Sequence, residues 1–63
     1  GPLKDNLDFN ISALYHNLGA GYVTKKQYAK AVYALRSALE IQPQKKATIR
    51  LLEKAYAEYA END

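Results

Sequence analysis

Asp8, Ser12 and His16 recur at steps of four, which sets a carboxylate, a hydroxyl and an imidazole on one side of a helix. These are the residue types of a hydrolase triad. The order is wrong for that chemistry, because the histidine has to stand between the nucleophile and the carboxylate, and here Ser12 holds the middle. At a 1.5 Å rise per residue, Asp8 also lies ~12 Å along the axis from His16. No oxyanion hole is suggested. The three are read instead as polar residues on an exposed or ligand-facing stripe. His16 has no companion at metal-site spacing, so no metal is expected. Gly19-x-Gly21 falls inside a helical pattern rather than after a strand, which argues against a phosphate loop. No catalytic residue and no cofactor are assigned, and the chain is not read as an enzyme.

The six tyrosines invite a base-stacking reading. Helical spacing accounts for at least four of them as core. Tyr33 is the exception: it falls on the outer side of its helix with Lys30 and Arg36, as a candidate contact. Lys25-Lys26 and Lys45-Lys46 are read as solvated turn residues. A net charge of +2 is too small to argue for nucleic acid or anionic lipid. The longest run without a charge, Phe9 to Thr24, is polar in places and shorter than the roughly 20 apolar residues that span a bilayer. Without cysteine the redox compartment is unreadable, and localisation stays open.

Helices must position these residues, since no stretch alternates as a strand does. Leu7, Ile11, Leu14, Tyr15, Leu18 and Tyr22 mark one face of a first helix at about residues 6–25, with Asp5 or Asn6 as its cap. Tyr28, Ala31, Val32, Leu35, Ala38 and Leu39 mark a second, which Pro43 stops near Ile41. The short turn Lys25-Lys26-Gln27 makes the two antiparallel neighbours. Ile49, Leu52, Ala55, Tyr56 and Tyr59 mark a third at about residues 45–61. Its charges oppose the helix dipole, with Lys45, Lys46 and Arg50 early and Glu58 and Glu61 late; Lys54 and Glu58, four apart, offset a little of this. The expected fold is all-α, an antiparallel helical hairpin plus a third C-terminal helix. A chain of 63 residues is one domain at most and buries only about 60% of its unfolded surface. Gly1-Pro2 looks like the remnant of tag removal and is set aside, the rest being read as a fragment of a longer protein.

The hairpin carries Tyr15, Leu18-Gly19, Tyr22, Ala31, Leu35, Ala38 and Pro43 at spacings that match a 34-residue unit. In this it resembles the tetratricopeptide repeat, with Tyr15 for the usual tryptophan and Leu35 for an aromatic. Gly19 and Ala31 are small where the two helices approach closely, and Tyr15, Leu18, Tyr22, Tyr28 and Leu35 fill the space around that contact. Shifted by 34, Tyr15 maps to Ile49, Leu18 to Leu52 and Tyr22 to Tyr56, but Gly19 maps to Glu53. A glutamate does not fit a tight crossing, so the third helix is read as a terminal cap. The expected organisation is residues 1–2 as tag remnant, 3–11 as an extension that starts helix one, 12–45 as the repeat, and 46–63 as capping helix and tail.

The resemblance implies a protein-interaction module whose groove is lined by Ala13, His16, Ala20, Val23 and Thr24 of the first helix and Arg50, Lys54 and Ala57 of the third. Chaperone-binding members hold a peptide carboxylate with Lys and Asn where this chain has His16 and Ala20, so that clamp is absent. The expected partner is a protein or peptide, acidic or mixed acidic-apolar. Neither nucleic acid nor membrane is an expected partner. An alternative is a homo-oligomeric assembly element, with Leu7, Ile11 and Leu14 on helix one and Tyr56 and Tyr59 on helix three as its contacts. A further alternative is the microtubule-interacting-and-trafficking domain, to whose third helix the segment Leu52–Tyr59 is faintly similar.

Overall fold

A computed structural model describes residues 1–62 and shows an all-α chain of three helices: α1 (Pro2–Thr24), α2 (Tyr28–Ile41) and α3 (Lys46–Asn62). α1 and α2 form the expected hairpin. α3 packs on α2, while α1 and α3 meet only sparsely, so α2 is the central element.

α1 begins earlier than its apolar pattern suggested. Gly1 is its N-cap and Pro2 its first residue, with no side-chain cap, so neither Asp5 nor Asn6 caps it. Proline suits that position because its fixed φ is helical and its missing N–H would be unpaired there anyway. Leu3 and Lys4 then continue the helix, and Asp5 sits in the first turn, where the dipole favours a carboxylate. Lys4 Nζ reaches Asp8 Oδ2 at 2.7 Å, one turn on.

The glycine-free turn after α1 closes by backbone bonds. Lys26 N–H donates to the Val23 carbonyl (2.9 Å) and Gln27 N–H to the Tyr22 carbonyl (2.8 Å). This is a Schellman closure, and it puts Lys26 at φ 62°, where glycine is the usual residue. Pro43 follows the last residues of α2 and prevents the helix from continuing.

Val23 of α1, Ala31 and Leu35 of α2 and Ala55 of α3 form the core, edged by Tyr22, Val32, Leu51 and Leu52. The α1–α2 crossing is tight: a Cβ added at Gly19 would stand 2.5 Å from Leu35 Cδ2 and 2.6 Å from its Cγ. Ala31, Leu35 and Ala38 are buried as the spacing predicted.

Tyr15 and Leu18 are not part of that packing. Both are exposed, Leu18 by 48%. The side of α1 turned toward α2 carries Ser12, Gly19 and Val23, its three buried residues. The helices lie so close along this row that the larger residues beside it point outward. Nor are four tyrosines core: Tyr28 is buried, Tyr22 half-buried, and Tyr15, Tyr33, Tyr56 and Tyr59 are exposed. Three helices cannot cover two apolar faces at once.

Candidate functional site

The three residues of the apparent triad are drawn apart by separate partners. Asp8 pairs with Lys4. Ser12 is fully buried, so it does not lie on an exposed stripe; its hydroxyl donates to Gln42 Oε1 (2.8 Å), with the Phe9 carbonyl at 3.0 Å. This bond ties α1 to the end of α2. His16 Nδ1 and Thr48 Oγ1 share a hydrogen bond of 2.8 Å, its donor set by the ring tautomer. Thr48 is fully buried, and this contact joins α1 to the first turn of α3. Sequence reasoning missed both ties. A serine, a threonine and a glutamine fall on no apolar period, and only the packing brings residues 30 and 32 positions apart together. Among the described residues, no buried side-chain polar atom is left without a partner.

The groove residues divide by exposure. Ala13, His16 and Ala20 are half-buried on α1, and Thr24 is exposed, its hydroxyl donating to the Ala20 carbonyl at 3.1 Å. Arg50, Lys54 and Ala57 are exposed on α3. Val23, expected on the groove floor, is 6% exposed and belongs to the core, so it offers a ligand almost no surface. Lys54 Nζ lies 3.8 Å from Glu58 Oε2, a loose and exposed pair that contributes little.

Glu58 also closes the far end of the α2–α3 contact. The Tyr28 hydroxyl donates to Glu58 Oε1 at 3.2 Å, and the Tyr28 ring meets Tyr59 edge-on, centroids 6.4 Å apart. Burial, then the hydrogen bond to Glu58 and its negative charge, hold the Tyr28 phenol above its ordinary value. Beside this pair an apolar hollow of about 340 Å³ is lined by Tyr28, Ala29, Val32, Tyr56 and Tyr59.

Lys45 is not a free turn residue. It is half-buried, with its ammonium 4.9 Å over the Phe9 ring, a cation–π contact that helps hold the α2–α3 turn against α1. An open cleft of about 660 Å³ adjoins it, lined by Asp5, Asp8, Phe9, Ile41 and the turn from Gln42 to Lys45. Tyr33 is 77% exposed, as its outer position implied. The neighbouring Lys30 places its ammonium 5.9 Å over Tyr22.

Among the described residues no group of three or more His, Cys, Asp or Glu side chains could hold a metal ion, and no helix is long and apolar enough to cross a membrane. No family model, curated protein or solved structure matches this chain.

Proposed function

We propose that this chain is a protein–protein interaction module of the tetratricopeptide type, which takes a short acidic or mixed acidic-apolar peptide across α1 and α3. The observation that carries the reading is the placement of both helices on α2 with little contact between them. The residues assigned to the groove are accessible to a ligand in part: Ala13 and Ala20 are half-buried on α1, and Arg50, Lys54 and Ala57 are exposed on α3. Small side chains let a peptide backbone approach, and Arg50 offers a carboxylate a bidentate partner. The His16–Thr48 hydrogen bond supports the reading by fixing the two helices at one point. The tight Gly19–Leu35 crossing supports the repeat assignment, since that geometry is what its small residues imply.

Titration with an acidic peptide, followed by calorimetry at two salt concentrations, tests the function. Binding is expected to be weak, to fall with salt, and to fall further in Arg50→Glu. Equal binding of a basic peptide of the same length would contradict it. The uncovered apolar stripe of α1 favours a second reading, that the chain is itself an assembly element.

A further inference from the structure

The outer side of α1 carries Leu7, Ile11, Leu14 and Leu18, all exposed, Leu14 by 69%. Their steps of four, three and four are the a/d spacing of a coiled-coil seam. The surface already has the relief such a seam uses. A hollow of about 250 Å³ is lined by Ile11, Leu14, Tyr15 and Leu18. These stand at i, i+3, i+4 and i+7, the four residues of one helix that surround an inserted knob in knobs-into-holes packing.

We propose that this face binds a second copy of the chain, α1 against α1, antiparallel about a twofold axis. In the register with the axis level with Ser12 and Ala13, Leu7 meets the partner's Leu18 and Ile11 meets the partner's Leu14. Each contact occurs twice, so all four stripe residues find apolar company. Ile11 of each copy then enters the hollow of the other.

Two observations favour pairing with a second copy. The first is charge. A twofold interface sets one patch against itself, so any charge near the axis meets its like. From Phe9 to Thr24, α1 carries no Asp, Glu, Lys or Arg. The nearest charge, Asp8, falls level with the partner's Asn17. Near the axis the seam therefore has no charge of its own to repel itself with; the cation beside it, Lys30 of α2, lines a hollow with Leu18 at the seam's end and lies over the Tyr22 ring. The second is area. The chain exposes 4620 Å², against roughly 4100 Å² for a compact monomer of its mass. The excess over the whole chain, roughly 500 Å², is below the ~800 Å² per partner of a standard interface. The complex is accordingly weak and concentration-dependent.

This face lies on the side of α1 away from Ala13, His16 and Ala20, so the proposal stands or falls independently of the peptide groove. Sedimentation equilibrium of the full chain from micromolar to millimolar concentration tests it, alongside Leu14→Glu and Tyr59→Glu. The parent and Tyr59→Glu are expected to approach twice the monomer mass, and Leu14→Glu to stay monomeric with an unchanged helical circular dichroism spectrum. Because Leu14 is mostly exposed, that variant keeps its fold. A second test needs no loss of function. The chain has no cysteine, and Leu7→Cys mixed with Leu18→Cys should oxidise to a mixed disulfide dimer, while either alone forms far less. A parent that stays monomeric at millimolar concentration overturns the proposal. So does a dimer that survives Leu14→Glu, or that Tyr59→Glu abolishes.

Discussion

Gly19 and Gly21 stand two residues apart on α1 in opposite surroundings. A Cβ at Gly19 would run into the Cγ of fully buried Leu35, which has nowhere to swing, whereas a Cβ at Gly21 meets nothing within 4 Å. Alanine gains about 1 kcal/mol over glycine in a helix, and overpacking a core costs about 1–3. Gly19→Ala is therefore expected to lose up to about 2 kcal/mol net, and Gly21→Ala to gain about 0.5–1. Urea melts of the two variants measure the contrast, and equal effects would remove the tight crossing. Lys26 is the other backbone position with a definite demand. Its φ of 62° strains a side chain, so Lys26→Gly should raise stability by up to about 1 kcal/mol in the same assay. Tyr28 adds a pH dependence. Its phenol is held above 10.0 in the folded chain, first by burial and then by Glu58. The unfolded chain thus releases this proton first. The contribution is intact below pH 10 and is lost as the pH rises through the folded value. Tyr28→Phe should flatten the alkaline fall in melting temperature, and an unchanged fall would show that other groups cause it.

At the scale of elements, the three helices and their order were legible from period alone, and Pro43 marked the end of α2. What period did not reveal is which stripe of α1 faces inward. It marked Leu7, Ile11, Leu14 and Leu18, and these are the exposed residues; the inward row is Ser12, Gly19 and Val23. In a close helix crossing the buried row is small, and a search for large apolar residues passes over it. The pairing motif through Gly19 and Ala31 located that crossing correctly. The start of α1 was missed because its cap is a backbone glycine followed by proline, with no side-chain signal. The Ser12–Gln42 and His16–Thr48 ties were missed because they join residues far apart in the chain. Of the residues assigned to the groove, Arg50, Lys54 and Ala57 are exposed, while Val23 is buried and offers a ligand almost no surface. Ala31→Leu tests the element packing directly: with Ala31 fully buried, the variant should lose about 1–3 kcal/mol. A thermal melt as stable as the parent would falsify the hairpin packing.

The whole molecule is long and thin, 43 × 18 × 13 Å, with a radius of gyration of 12.0 Å against roughly 10.6 Å for a compact chain of this length. α1 is the cause: its 23 residues outrun the 14 of α2. Such a shape exposes more surface than a compact chain of its mass, part of it on two sides of α1. The proposed peptide surface combines the small and polar Ala13, His16 and Ala20 of α1 with the exposed cations Arg50 and Lys54 of α3. The outer side is apolar and uncharged, which suits its own copy. The most direct test of the proposed groove is an NMR titration of the isotope-labelled chain with an acidic peptide, at a concentration where the chain is monomeric. Amide shifts are expected to concentrate on Ala13, His16, Ala20, Arg50 and Lys54, and to shrink in Arg50→Glu. Shifts confined to the surface around Lys30, Tyr33 and Arg36 would contradict the groove and make the exposed tyrosine the recognition site.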